Sequence, residues 1–116
     1  MTVHYDLDGL RRGNTYERVF RFKDGAGNPI DLTGSEIVFV VETTTSTIRK
    51  TTADGTLHMP SPATGGVTLK LTPEETRLFA VGKLRSRYEI ERRIGGDEFT
   101  ILSGCLIVVQ GVNDDA

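Results

Sequence analysis

The chain has 116 residues, of which 14 are Lys or Arg and 16 are Asp or Glu, so its formal net charge is -2. This length predicts one domain, residues 1–116, with enough buried surface to fold without metals or disulfides. The charge balance excludes a general nucleic-acid-binding protein, and the single cysteine excludes a disulfide framework. No apolar run approaches the length of a membrane span. From the charge balance and the short apolar runs together, we expect neither nucleic acid nor membrane among its partners.

The composition favours β structure. Thr occurs 15 times, Val 10 times and Ile 7 times, and these β-branched residues suit a pleated surface. The 13 glycines separate short segments, as turns between strands do. We therefore predict an all-β fold, an immunoglobulin-like antiparallel β-sandwich with one short helix near residues 73–79. The polar residues from about 110 onward are predicted to be frayed.

Five strands are predicted before the hairpin that ends the chain. The first, residues 15–23, alternates aromatic and charged side chains, which is typical of a sheet with one wet side. Residues 36–42 are apolar at both parities, so this strand should be central in its sheet. Weaker strands are predicted at 47–52 and 57–59, and a clearer one at 67–71.

The helix has a complete set of N-terminal signals. Thr72 is a good N-cap, Pro73 suits the first helical position, and Glu75 completes a capping box. Gly82 is expected to close the helix, which should run from Pro73 to about Phe79.

The last third of the chain predicts a hairpin that turns at Gly95 and Gly96, through a loop of two or of four residues. The two-residue loop would set Arg93 opposite Glu98, a favourable cross-strand pair. Since both loops preserve parity, both place the same residues in the core: Tyr88, Ile90, Phe99, Ile101, Cys105 and Ile107.

Two strands carry more apolar side chains than a sandwich core requires. The side chains opposite to the predicted core face are Val38, Val40, Leu102, Leu106 and Val108. They form the candidate interface. Three alternatives could cover these apolar side chains: the helix, the N-terminal segment or another subunit. Another subunit would make the protein a homo-oligomer.

The sequence predicts no catalytic, cofactor-binding or metal-binding residues, and no cofactor. His4 and His58 lack ligand-like spacing with each other or with Cys105. Glu89 and Glu91 share a strand face, but arginines surround them, so a solvated ion-pair surface explains the pattern. We therefore expect that the protein is not an enzyme.

The order of turns and strands resembles a known family. The matching elements are Arg12–Asn14, Asp24–Gly25, Gly27–Gly34, Gly65–Val67, Leu71–Glu75, Tyr88–Glu91, Leu102–Gly104 and Val108. This order is similar to that of small β-sandwich structural proteins of tailed bacteriophages and prophages, akin to the N-terminal domain of baseplate upper proteins. Many of these proteins have Gly-Asp before the first strand, whereas this chain has Gly13 and Asn14.

The resemblance implies a structural component of a phage or prophage tail or baseplate that acts by docking and assembly. The implied partners are other tail or baseplate proteins, and the implied location is the virion tail, with the host cytoplasm during assembly. The alternative is a carbohydrate-binding or adhesion module with an immunoglobulin-like fold. That alternative requires exposed aromatic residues on one face, whereas the chain has no Trp and its three tyrosines are scattered.

Overall fold

The structure is a computed structural model that describes residues 3–43, 45–79 and 85–110, without the side chains of residues 85 and 110. Within these ranges the strands are β1 (Val3–His4), β2 (Leu7–Arg12), β3 (Tyr16–Arg21), β4 (Glu36–Glu42), β5 (Thr47–Thr51), β6 (Gly66–Leu71), β7 (Arg85–Ile94) and β8 (Asp97–Gln110). A 3-10 turn spans Pro62–Thr64, and the helix α1 spans Pro73–Thr76. No helix in the described ranges is both long and apolar enough to cross a membrane.

The strands form two sheets that pack face to face. In the larger sheet, β1 and β2 both pair with β8, which is followed in order by β7, β4 and β5. The smaller sheet consists of β3 and β6. The predicted β-sandwich with one short helix is therefore confirmed. It is not purely antiparallel, because β1 and β2 run parallel to β8.

The strands predicted before the hairpin are confirmed with one exception. β4 has the predicted bounds and lies between β5 and β7, so it is central as expected. The segment predicted at 57–59 contributes only an isolated bridge between His58 and Thr68.

The capping box of α1 is confirmed, but the helix is shorter than predicted. The Glu75 amide donates to Thr72 Oγ1 at 3.2 Å, and the Thr72 amide donates to Glu75 Oε1 at 2.9 Å. The chain leaves the helix after Thr76, and Phe79 is buried beyond it. Gly82, the predicted end of the helix, lies outside the described residues, as does the predicted frayed tail after residue 110.

The Glu75 carboxylate also holds α1 to the larger sheet. Lys50 Nζ on β5 lies 2.8 Å from Glu75 Oε1, and the Lys50 side chain is only 11% exposed. Burial of Glu75 raises its pKa, but hydrogen bonds from Lys50 and Thr72 outweigh burial and leave the pKa below its ordinary value.

Of the two loop lengths that the sequence left open, the hairpin has the two-residue loop. Gly95 and Gly96 adopt φ values of +60° and +87°, and Arg93 lies opposite Glu98, as expected for this loop length. Further along, the register changes: Glu91 pairs with Thr100, but Ile90 pairs with Leu102. One extra residue, Ile101, therefore forms a β-bulge in β8.

This bulge reverses the predicted inward and outward faces for the rest of β8, because side chains alternate along a strand. Leu102, Leu106 and Val108, predicted to face outward, are core residues with exposures of 8%, 0% and 1%. Cys105, predicted to lie in the core, is only half-buried, as is Ile107, and Phe99 before the bulge is 52% exposed. The prediction of an apolar outer face on β8 is therefore wrong for Leu102, Leu106 and Val108.

Two N-terminal strands were not predicted from the sequence. In β2, Leu7 and Leu10 are both fully buried although they are three residues apart, so the period-two alternation of a strand is broken. The register shifts between them, where Gly9 has a φ of +80°. The irregular strand completes the core next to β8 without leaving a periodic pattern in the sequence.

Candidate functional site

Of the predicted interface residues, only Val38 and Val40 remain on the outer face of the larger sheet. Val38 is 2% exposed and Val40 is half-buried. They lie in a groove of about 310 Å³, here called the outer groove, whose other lining residues are Glu42, Arg49, Arg87, Tyr88, Glu89, Glu91 and Arg93. Long charged side chains beside the two valines shield them from solvent with their aliphatic stems.

Arg93, one of the charged residues that line the outer groove, is paired within the chain. Arg93 Nε donates to Glu91 Oε1 at 2.5 Å, and other guanidinium nitrogens of Arg93 lie 3.8 Å from carboxylate oxygens of Glu36 and Glu98. The hydrogen bond with Glu91 is the main reason why the pKa of Arg93 is raised. Arg93 therefore presents little unpaired charge to a partner.

A second concave surface lies at the opposite side of the sandwich, between β3 and β1. It has a volume of about 330 Å³ and is here called the edge cleft, lined by Val3, Tyr5, Phe20, Arg21, Phe22, Lys23, Ile101 and Leu102. Val3 is 56% exposed and Tyr5 is 49% exposed. Phe20 and Phe22 stack with ring centroids 6.2 Å apart. The cleft is therefore an apolar surface open to solvent.

Side-chain hydrogen bonds connect the two sheets at one end of this side of the sandwich. Tyr16 Oη on β3 donates to the carbonyl of Asp8 at 3.0 Å, and Arg18 Nη2 donates to Tyr5 Oη at 3.3 Å. Burial raises the pKa of Tyr16 above its ordinary value.

Tyr5 is anchored to the core by its backbone. Its amide donates to the Ser103 carbonyl at 2.7 Å, and its carbonyl accepts a hydrogen bond from the hydroxyl of Tyr88. Burial raises the pKa of Tyr88 well above its ordinary value, which keeps this donor protonated. Gly104 permits the approach, because a Cβ there would collide with the Tyr5 carbonyl oxygen. The wall of the edge cleft formed by β1 is thus fixed in place.

The backbone of β3 is hydrogen-bonded on one side only. Val19 lies opposite Thr68 of β6, but Thr68 uses both its amide and its carbonyl to bond His58 on the other side. In an antiparallel pair, opposed residues either exchange both hydrogen bonds or neither. Val19 therefore directs its amide and carbonyl away from β6, and no described strand pairs with β3 on that side.

The outward side chains of β3 add positive charge beside this free edge. Arg21 and Lys23 are exposed, and neither has an ion-pair partner in the part of the chain that the structure describes. Arg18 differs, because its guanidinium lies 3.7 Å from the Asp8 carboxylate. The open end of the edge cleft thus combines apolar walls, unpaired backbone groups and two uncompensated cations.

In the described ranges, no group of three or more His, Cys, Asp or Glu side chains is placed to hold a metal ion. His4 Nε2 lies 3.2 Å from Asp6 Oδ1 at the surface. The backbone amide and carbonyl of His58 form hydrogen bonds with Thr68 of β6. Glu89 and Glu91 line the outer groove with arginines, as the sequence suggested.

The sequence did not reveal the edge cleft as a site. The inward alternation of Tyr16, Phe20 and Phe22 is visible in the sequence, but the opposing wall comes from the unpredicted β1. The basic residues between the aromatic residues of β3 were the available signal in the sequence.

No protein-family model and no curated protein sequence matches this chain. Evidence on what the protein binds therefore comes from the geometry of the chain itself.

Proposed function

We propose that this protein is a structural component of a phage or prophage tail or baseplate, and that it acts by docking onto neighbouring proteins. The observation that carries the docking role is the edge cleft, where Val3 and Tyr5 stay about half exposed beside the buried core. An apolar surface that a small domain leaves open, next to unpaired strand backbone, is a common way of binding another protein.

The tail assignment is supported by the order of turns and strands along the chain. The turns that carry the resemblance include the paired glycines Gly65 and Gly66, where β6 begins, and the Thr72–Glu75 capping box that follows β6. These are features of the fold, and the proteins that they resemble have a structural role, in which surfaces rather than reacting groups act.

Immunogold electron microscopy tests this proposal. Particles released from a strain that encodes the chain would be labelled with an antibody raised against the purified protein. We expect gold on the tails or baseplates, and no gold on particles from a strain that lacks the gene. Label that is absent from all particles would contradict the proposal. A purified protein that binds glycans while particles remain unlabelled would favour the carbohydrate-binding alternative instead.

A further inference from the structure

We propose that the free edge of β3 binds an extended peptide strand of a partner protein, whose inward side chains are apolar and whose outward side chains are acidic. The inference rests on the proposed docking function and specifies its surface and the chemistry of its partner. It is drawn from three properties of the same edge: its backbone, its cleft and its charge.

The backbone supplies the hydrogen bonds. Val19 presents an amide and a carbonyl away from β6, and Arg21 does the same because it lies two residues further along the same strand. A strand that adds to this edge would extend the two-stranded sheet to three strands. Addition of a strand to an exposed edge is a recurring mode of peptide recognition, in which the main chain contributes affinity.

The cleft selects the inward side chains. Alternate residues of an added strand would point toward the larger sheet, into the space between Phe22, Val3 and Ile101. Val3 is 56% exposed, whereas Phe22 and Ile101 are partly buried against the core. Apolar side chains placed here would remove this surface from water, which is favourable in proportion to the area covered.

The charge selects the outward side chains. On the outer surface of β3, Arg21 and Lys23 lie toward the open end of the cleft, and Glu17 lies toward the end closed by Tyr16 and Asp8. Carboxylates on an added strand opposite Arg21 and Lys23 would form the ion pairs that the described residues do not supply.

The β5 edge of a second copy of this chain fits the β3 edge poorly. The opposite edge of the sandwich is β5, which carries the exposed Arg49, and its Lys50 is already paired with Glu75. If β5 of one copy added to β3 of another, Arg49 would approach a basic edge. Like charges opposite one another destabilise strand pairs. An acidic partner strand is therefore favoured over the β5 edge of a second copy.

A defined peptide tests the proposal. The probe is a fluorescein-labelled hexapeptide of alternating glutamate and valine, and binding is measured by fluorescence anisotropy at low salt with the intact chain. We expect saturable binding, and about tenfold weaker binding when lysine replaces each glutamate. A peptide with N-methyl groups on the amides that would face β3 should lose binding, because it cannot donate to the strand edge.

Charge reversal in the protein provides the matched comparison. The double variant Arg21→Glu, Lys23→Glu should bind the acidic peptide about tenfold more weakly, whereas Arg49→Glu at the opposite edge should bind like the parent. Equal binding of the N-methylated peptide, equal loss in both variants, or no binding of the acidic peptide would overturn the inference. If tails are gold-labelled but no such binding occurs, the docking function stands and a different surface performs it.

Discussion

The outer groove and the edge cleft both place apolar side chains outside the main core, but these side chains differ in how far the rest of the chain covers them. At the outer groove, Val38 is only 2% exposed, and the neighbouring Arg93 pairs with three carboxylates of the chain. At the edge cleft, Val3 and Tyr5 are about half exposed, and Arg21 and Lys23 have no described ion-pair partner. An apolar residue on an outer face is therefore poor evidence for an interface unless the chain's own side chains leave it open.

The largest expected effect concerns the residue whose predicted position the bulge reversed. Leu106→Lys should unfold the protein, because a fully buried side chain would become an unpaired charge, at a cost of about 4 kcal/mol or more. Val109→Lys, in the same strand but 41% exposed, is the matched control and should stay folded. Circular dichroism distinguishes them. A folded Leu106→Lys variant would mean that the Leu106 side chain faces outward, and would contradict its place in the core.

The next effect concerns the β1 wall of the edge cleft. Gly104→Ala should destabilise the fold by about 1–3 kcal/mol, because its Cβ would collide with the Tyr5 carbonyl and displace the β1 segment. Gly25→Ala is the control, since nothing lies within 4 Å of a Cβ there. Urea unfolding measures both. Equal stability of the two variants would mean that β1 does not pack against Gly104.

A smaller effect is expected at the opposite, closed end of the sandwich. Thr72→Ala should lower the free energy of unfolding by about 1 kcal/mol, because the Glu75 amide loses its acceptor. Thr72→Ser retains the hydroxyl and should remain close to the parent. Thermal melting of the three proteins tests this. A Thr72→Ala variant as stable as the parent would show that the capping box contributes nothing to the fold.

The smallest effect is expected in the outer groove. Arg93→Ala removes exposed ion pairs, which contribute little individually, so its melting temperature should fall less than that of Gly104→Ala. Salt should narrow the difference between Arg93→Ala and the parent, because it screens exposed charges. A larger loss of stability than in Gly104→Ala would mean that the ion pairs, rather than the buried contacts, hold this part of the sheet.

The sequence was sufficient where residues report their own local geometry. Gly95 and Gly96 predicted the hairpin turn, and Thr72 with Glu75 predicted the helix cap, because turns and caps depend on a few adjacent residues. The sequence was insufficient where one inserted residue reverses a strand. Ile101 is as apolar as its neighbours, so nothing in the pattern marks it as the bulge.

The same limit explains why the edge cleft was missed. Its two walls come from β1 and β3, and the parallel pairing that places β1 beside β8 joins residues about a hundred positions apart. The sequence predicted the inward aromatic residues of β3, but the free edge depends on which strands lie beside it. That arrangement is a property of the whole fold, set by pairing rather than by local composition.

Amide hydrogen exchange along β3 in the isolated protein tests the central claim, that this edge is unpaired, most directly. We expect alternation: the amides of Val19 and Arg21 exchange rapidly, and those of Phe20 and Phe22 exchange slowly because they point toward β6. Slow exchange at Val19 and Arg21 in the monomeric protein would show that the edge is already covered, and would contradict the claim.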